Sequence, residues 1–308
     1  MKYLVTGVSG FVGAHLRRAL LAEGHAIVGV DAMAPADMTG LRFHQLSLMD
    51  AAGLKELIAD AKPERIIHLA SASSVGLSWQ QPVDCFVNNT NIFLNLVEAV
   101  RQNNLKCRIL SVGSSEEYGP VAPRDVPLRE DRPSNPMNPY AVARVAQEHL
   151  SKVYSKGYGL DIVCTRSFNH LGPGQTERFV MSSFVRQAVL VSKGELPEII
   201  CGELGIVRDF IDVRDVIRAY GVILEKGTAG DIYNVCSSKG VSLREVLELI
   251  CRLVKIPSKI RIDPSLIRPI DNPVIIGDGA KLKAMGFIPA YSLERSIEDM
   301  VDFWKGKL

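Results

Sequence analysis

Three glycines spaced Gly7-x-x-Gly10-x-x-Gly13 sit between the apolar run Lys2-Tyr3-Leu4-Val5 and the helical pattern Phe11–Ala22. No other feature constrains the chain so tightly. Glycines at a strand-to-helix turn let the backbone approach a pyrophosphate, whose charge then meets the helix's N-terminal N–H groups. The cradle would be built by Gly7, Gly10, Phe11, Val12 and Gly13. A second strand pattern ends in Asp31, eighteen residues after Gly13. A carboxylate there can accept hydrogen bonds from an adenosine ribose and repels a 2′-phosphate. No Arg or Lys follows at Ala32-Met33-Ala34, which favours NAD(H) over NADP(H). The same residues also fit a plain tight turn, with Asp31 capping a loop.

Short apolar runs recur at Tyr3–Val5, Ala26–Val30, Arg65–Leu69, Arg108–Val112 and Asp161–Arg166. Between them apolar residues fall at helical spacing, as in Ile92, Leu96, Val97 and Val100. Continuous apolar strands alternating with helices predict a parallel sheet covered on both faces, the doubly wound α/β (Rossmann) class. Beyond Arg166 come a Gly/Pro loop at Asn169–Gln175, a helix at Phe179–Lys193, and a strand at Ile232–Val235 that returns to the sheet. An amphipathic helix at Val241–Val254 and a Pro-rich last fifth follow, predicting a smaller C-terminal α/β substrate lobe. The expected division assigns residues 1–166, with about 208–238, to a dinucleotide-binding domain. Residues 167–207 and 239–308 then form the substrate lobe.

A net charge of +2 supplies no field for nucleic acid or anionic lipid, so an anionic ligand must be held by local residues. No run approaches the ~18 consecutive apolar residues of a membrane span. The start, cut by Gly7 and Gly10, does not read as a signal-peptide core. Cys85, Cys107, Cys164, Cys201, Cys236 and Cys251 show no CxxC spacing and no His cluster. They read as reduced thiols in a cytoplasmic protein, with neither a metal site nor a disulfide framework.

Tyr140 opens a helical pattern directly after Pro139, with Arg144 one turn on. At ~100° per residue the two lie ~40° apart on one face. Val142, Val145, Ala146, Leu150 and Val153 form an apolar stripe on another side, predicted to anchor the helix to its layer. A cation fixed beside a phenol favours the phenolate, which suits proton transfer at a carbonyl or alcohol oxygen. The two residues also fit an exposed surface pair. Upstream, the strand Ile109–Val112 runs into Gly113-Ser114-Ser115-Glu116-Glu117-Tyr118-Gly119. Carboxyl ends of parallel strands border the ligand crevice, so a serine there either bonds the oxygen that Tyr140 serves or is an ordinary turn residue.

As a set and in order, Gly7-x-x-Gly10-x-x-Gly13, His68-Leu69-Ala70, Ser114-Ser115-Glu116-x-Tyr118-Gly119 and the Tyr140 helix resemble the extended short-chain dehydrogenase/reductases that act on nucleotide sugars. So do Asn169-His170-Leu171-Gly172-Pro173-Gly174-Gln175, Arg208-Asp209-Phe210 and Arg268-Pro269, and together these motifs span essentially the whole chain. Within that family the Phe168–Gln175 loop, Phe179-Val180 and Tyr233–Ser237 are most similar to reductases of a GDP-4-keto-6-deoxy-hexose.

The resemblance implies a cofactor site that includes Leu69 and Ala70, and a catalytic pair in which Ser114 bonds the sugar O4 and Tyr140 supplies its proton. Position 144 would orient the nicotinamide ribose and tune the phenol. Ser73, Asn169, Val180, Arg208 and Arg268 would hold a nucleotide-diphosphate sugar, and Asp271 its ribose. A homodimer paired through helices at Asn89–Val100 and Tyr140–Lys156 is also implied. Dehydratases of the family use a Glu where this chain has Glu116 to move the C5 proton. A 4,6-dehydratase or 4-epimerase with bound NAD is therefore the alternative, and a catalytically silent nucleotide binder a third. The chain departs from the family's Tyr-x-x-x-Lys at Arg144, and carries Ser47 where relatives have an Asp near the adenine. Arg keeps the charge, but its planar fork cannot hold two ribose hydroxyls as an ammonium does.

Overall fold

A parallel strand covered on both faces must be apolar throughout. In the computed structural model, which describes residues 1–267 and 272–308, each apolar run named above is such a strand. Arg268 and Asp271 lie outside the described residues. In chain order the strands are β1 (Lys2–Thr6), β2 (Ala26–Asp31), β3 (Leu41–Gln45), β4 (Arg65–His68), β5 (Arg108–Ser114), β6 (Asp161–Ser167), β7 (Asn169–Leu171), β8 (Ile199–Cys201), β9 (Val207–Asp212), β10 (Ile232–Val235), β11 (Gly240–Ser242), β12 (Ile260–Ile262) and β13 (Val274–Ile275). The helices are α1 (Phe11–Ala22), α2 (Ala51–Ala61), α3 (Val75–Gln80), α4 (Pro82–Gln102), α5 (Pro139–Tyr158), α6 (Val180–Ser192), α7 (Val213–Lys226), α8 (Leu243–Val254), α9 (Ala280–Ala284) and α10 (Leu293–Lys307).

Among the described residues seven strands form one parallel sheet in the order β10-β6-β5-β4-β1-β2-β3. Alternate residues of β1 serve opposite faces. Tyr3 and Val5 pack with Leu16 and Leu20 of α1 and Val216 and Tyr220 of α7. Leu4 packs with Leu54 and Ile58 of α2 and Phe93 and Leu96 of α4. From β1 the chain winds outward to β2 and β3, then crosses back to β4 on the other side. The crevice at the carboxyl ends of β1 and β4 is thus the switch point at which such sheets take ligands. Gly7 stands there with φ +69°, and a Cβ on it would lie 2.7 Å from the backbone nitrogen of Ala70. Only glycine lets the two loops meet.

A second sheet is centred on β9, with β7 and β13 parallel to it and β11 antiparallel. Helices α6, α8 and α10 bury their apolar faces in the adjoining core. After β9 the chain returns to the first sheet through α7 and β10. The buried Asp209 carboxylate of β9 accepts bonds from Ser237 N at 2.8 Å, Ser238 N at 2.9 Å and Gly277 N at 3.2 Å, tying the two sheets together. All six cysteines are free thiols. Among the described residues no helix is long and apolar enough to cross a membrane.

Four features differ from the sequence expectations. Asn169–Leu171, expected within a Gly/Pro loop, is strand β7 held by β9. Val241 and Ser242, expected in a helix, belong to strand β11, so that α8 starts at Leu243. Strand β3 was invisible in the sequence, because Leu-Arg-Phe-His-Gln lies at the sheet edge, half-covered, and needs no continuous apolar run. Helix α5 is turned the other way. Val142 is 42% exposed and Val153 57%, and Val145, Ala146 and Leu150 are half-buried, while Tyr140, Arg144, Gln147 and Ser151 face inward. The layer beneath them, Ser111 and the Val112 carbonyl of β5, is itself polar and supplies the partners that let this face be buried.

Candidate active site

A cavity of ≈ 1670 Å³ opens at the carboxyl ends of β1, β4 and β5 and runs on toward α6 and β9. Its wall gathers Gly7, Gly10, Phe11, Val12, Gly13, Asp31, Leu69, Ala70, Ser114, Glu116, Tyr140 and Arg144. Ser73, Asn169, Val180 and Arg208 line it as well. Every described residue expected from the sequence to bind cofactor or substrate or to take part in catalysis therefore borders one space.

At the glycine end, a Cβ on Gly13 would meet Gly7 O at 2.5 Å and Val8 O at 2.6 Å, so the turn closes onto the helix only without one. Gly10, at the helix N-cap, brings no capping side chain, which leaves the first N–H groups of α1 to the cavity. Asp31 borders the cavity, and its Oδ2 accepts from Ser9 N at 3.0 Å, bracing the turn from β2. Ser71 Oγ and Gln175 Oε1 lie buried on the cavity wall with no hydrogen-bond partner among the described residues. A wall of bare backbone donors, small residues and two waiting polar atoms fits an elongated phosphate-bearing dinucleotide.

At the other end Pro139 starts α5, and Asn138 caps it by accepting from Ala141 N at 2.8 Å. This fixes Tyr140 at the helix start, facing the cavity. Arg144 Nε donates to the Tyr140 hydroxyl at 3.1 Å. Nη1 of the same guanidinium donates to Val112 O at 2.9 Å and to Gln147 Oε1 at 2.6 Å. Both side chains are buried, so the surface-pair alternative does not hold. The phenol accepts from Arg144 and keeps its own O–H free to donate to a ligand in the cavity it lines. Ser114 is arranged alike: its Oγ accepts from Glu116 N at 3.2 Å, leaving its own proton for the cavity.

Adjacent glutamates part company here. Glu116 borders the cavity, its Oε2 accepting from Asn138 Nδ2 at 2.9 Å. Glu117 turns inward, accepting from Ser114 N at 2.6 Å, and burial with Glu148 nearby pushes its carboxyl up to about 8. Glu148 itself pairs with Arg166 at 2.9 Å and Lys152 at 2.8 Å, and these partners hold its carboxyl low. His68, under the cavity floor, bonds Thr6 Oγ1 at 2.9 Å; burial, and then the Arg144 charge, bring it down to about 3. Arg208 is buried, donating to Asn272 O at 2.8 Å. Sequence reasoning missed Gln147, Ser111, Asn138 and Glu117. Gln147 sits at i+7 from Tyr140, but a polar repeat of that spacing reads as a solvated face.

A family model described as GDP-mannose 4,6 dehydratase matches residues 4–300. The chain is 32% identical over 309 residues to a GDP-6-deoxy-D-mannose reductase of Pseudomonas aeruginosa, covering all of this chain and 98% of that protein. Among solved structures, RMD from Pseudomonas aeruginosa complexed with NADPH superposes with TM-score 0.90 at 31% identity, over 100% of this chain and 99% of that one. A Thermus thermophilus UDP-glucose 4-epimerase in complex with NAD gives TM-score 0.90 at 30% identity, over the whole of both chains.

Proposed function

The chain belongs to the GDP-mannose 4,6-dehydratase family of nucleotide-sugar enzymes, and on that premise we propose that it is a reductase of the C4 keto group of a GDP-4-keto-6-deoxy-hexose. One observation carries the reading: the Tyr140 oxygen accepts from Arg144 Nε and the Ser114 oxygen from Glu116 N, and both residues line the cavity with an O–H left to donate. Two hydroxyls lining one cavity suit a ketone oxygen on its way to an alkoxide. When bound, a reduced nicotinamide supplies the hydride that reduces C4. Tyr140 gives its proton to O4, and Ser114 holds O4 by a hydrogen bond. Arg144, committed through Nε and Nη1 to Tyr140, Val112 and Gln147, stabilises the negative charge left on the phenol.

Asp31 at the end of β2 supports NAD(H) in preference to NADP(H). Ser73, Asn169, Val180 and Arg208 are assigned to the nucleotide sugar; Arg208, buried at the far end of the cavity, is placed at its diphosphate. The sheet formed by β1–β6 and β10, with its helices, is taken as the cofactor domain, and the layer around β9 as the substrate lobe. Exposed Phe86, Val142 and Val153 on α4 and α5 support pairing of two copies through these helices, in a cytoplasmic homodimer.

A second reading has its own observation. Glu116, oriented by Asn138 at the cavity wall, is placed to take a C5 proton, as a 4,6-dehydratase requires. One assay separates the two. The reductase oxidises added NADH only when given the 4-keto sugar, and leaves GDP-mannose untouched. Tyr140→Phe loses at least about a hundredfold in kcat while retaining cofactor affinity. Conversion of GDP-mannose without added reduced cofactor would replace the reductase reading with the dehydratase one.

A further inference from the structure

Helix α5 buries Arg144, Gln147 and Ser151, none more than 4% exposed, and leaves two of its valines uncovered by the rest of the chain. Polar groups buried this way are unfavourable unless all are bonded. Here they form one chain. Arg144 Nη1 donates to Gln147 Oε1 at 2.6 Å. Gln147 Nε2 donates to Ser111 Oγ at 2.8 Å and to Val112 O at 3.1 Å. Ser151 Oγ reaches Ser111 Oγ at 3.1 Å. One end is locked into β5; the other is the Nε–H on Tyr140.

A guanidinium has donors on every nitrogen and no acceptor, so fixed acceptors decide which N–H points where. With Nη1 pinned between Gln147 Oε1 and Val112 O, the planar fork has one orientation, and it aims Nε at the phenol. We infer that Gln147, seated on Ser111, is a positioning residue for the reaction: it fixes the Arg144 guanidinium so that Nε stays on the Tyr140 oxygen and the phenol proton stays aimed at the substrate. The kinetic form of this inference rests on the reductase reading; the hydrogen-bond geometry does not. His68 of β4, Cys85 of α4 and Tyr220 of α7 also feel the Arg144 charge. All three are neutral near pH 7, so none offsets that charge at the phenol.

Gln147→Met keeps the volume and bonds nothing; Gln147→Glu keeps the acceptor and adds a charge that draws the guanidinium away. In Gln147→Met, kcat falls about tenfold while KM for sugar and cofactor stays within about twofold. The alkaline limb of kcat, where the phenol proton is lost, moves to higher pH, and further in Gln147→Glu. The same displacement is read without substrate from tyrosinate absorbance, with Tyr140→Phe as the blank. An unmoved limb and unmoved absorbance in both variants would overturn the inference. So would a fall in kcat matched by losses in KM and melting temperature with the limb in place, which is a structural role only. Where the wild type fails to reduce the 4-keto sugar, absorbance decides alone: a displaced midpoint upholds Gln147 and discards the reductase reading, and an unmoved one discards both.

Discussion

Replacing His68 tests the electrostatics beneath the cavity quantitatively. The ring is fully buried, touches Phe93 at a centroid distance of 5.3 Å, and is brought from 6.5 down to about 3 by burial and then by the Arg144 charge. The native state therefore refuses a proton that the unfolded chain accepts below about pH 6.5. Between these two values the unfolded state binds more protons, so stability rises with pH and is lost on acidification. At about 1.4 kcal/mol per unit the full loss is on the order of 5 kcal/mol, of which about 2 kcal/mol falls between pH 6.5 and about pH 5. His68→Asn keeps a polar group near Thr6 and does not titrate. It is expected to be less stable than wild type at neutral pH, from lost packing, and to regain about 2 kcal/mol on its parent by about pH 5. Urea unfolding of both proteins at the two pH values gives the difference directly. A gap that does not change with pH would mean that His68 protonates freely, and the tight burial under the Arg144 charge described for it would be wrong.

Gly13→Ala places a methyl 2.5 Å from the Gly7 carbonyl and 2.6 Å from that of Val8, backbone that cannot yield. It should cost about 1–3 kcal/mol in stability and weaken dinucleotide binding at least about tenfold by calorimetry, and wild-type affinity would contradict the cradle. Asp31→Ala removes the brace on Ser9 and the ribose acceptor, so the ratio of kcat/KM for NADH over NADPH should fall; an unchanged ratio removes Asp31 from cofactor choice. Arg144→Lys leaves one ammonium for acceptors that three guanidinium bonds now serve. It should lower stability by about 1–3 kcal/mol in thermal unfolding, and a melting temperature equal to wild type would show that the site is not built around Arg.

Much of the site was legible because its signals are local. The glycine turn, the strand ends at Asp31 and Ser114 and the Pro139–Tyr140 helix start are each written in a few consecutive residues. Their meeting at one cavity follows from parallel winding, which sends every carboxyl end to the same edge. What was hidden depends on partners far along the chain. Strand β3 exists because β2 offers it a ladder, not because its five residues demand it. Glu116 and Glu117 are chemically identical and adjacent, and only the walls around them make one a cavity carboxylate and the other a buried group pushed up to about 8.

By itself the sequence determined the class of sheet, the phosphate-cradling turn and the identity of the phenol–cation pair, since short-range periodicity and backbone permissiveness dictate all three. Which face of α5 goes inward was decided only in three dimensions. A helix with Val142 and Val153 on one side and Arg144, Gln147 and Ser151 on the other should, on hydrophobicity alone, bury the valines. It does the opposite because Ser111 and the Val112 carbonyl wait beneath it, and hydrogen bonds completed across distant segments outweigh the preference of the helix taken alone.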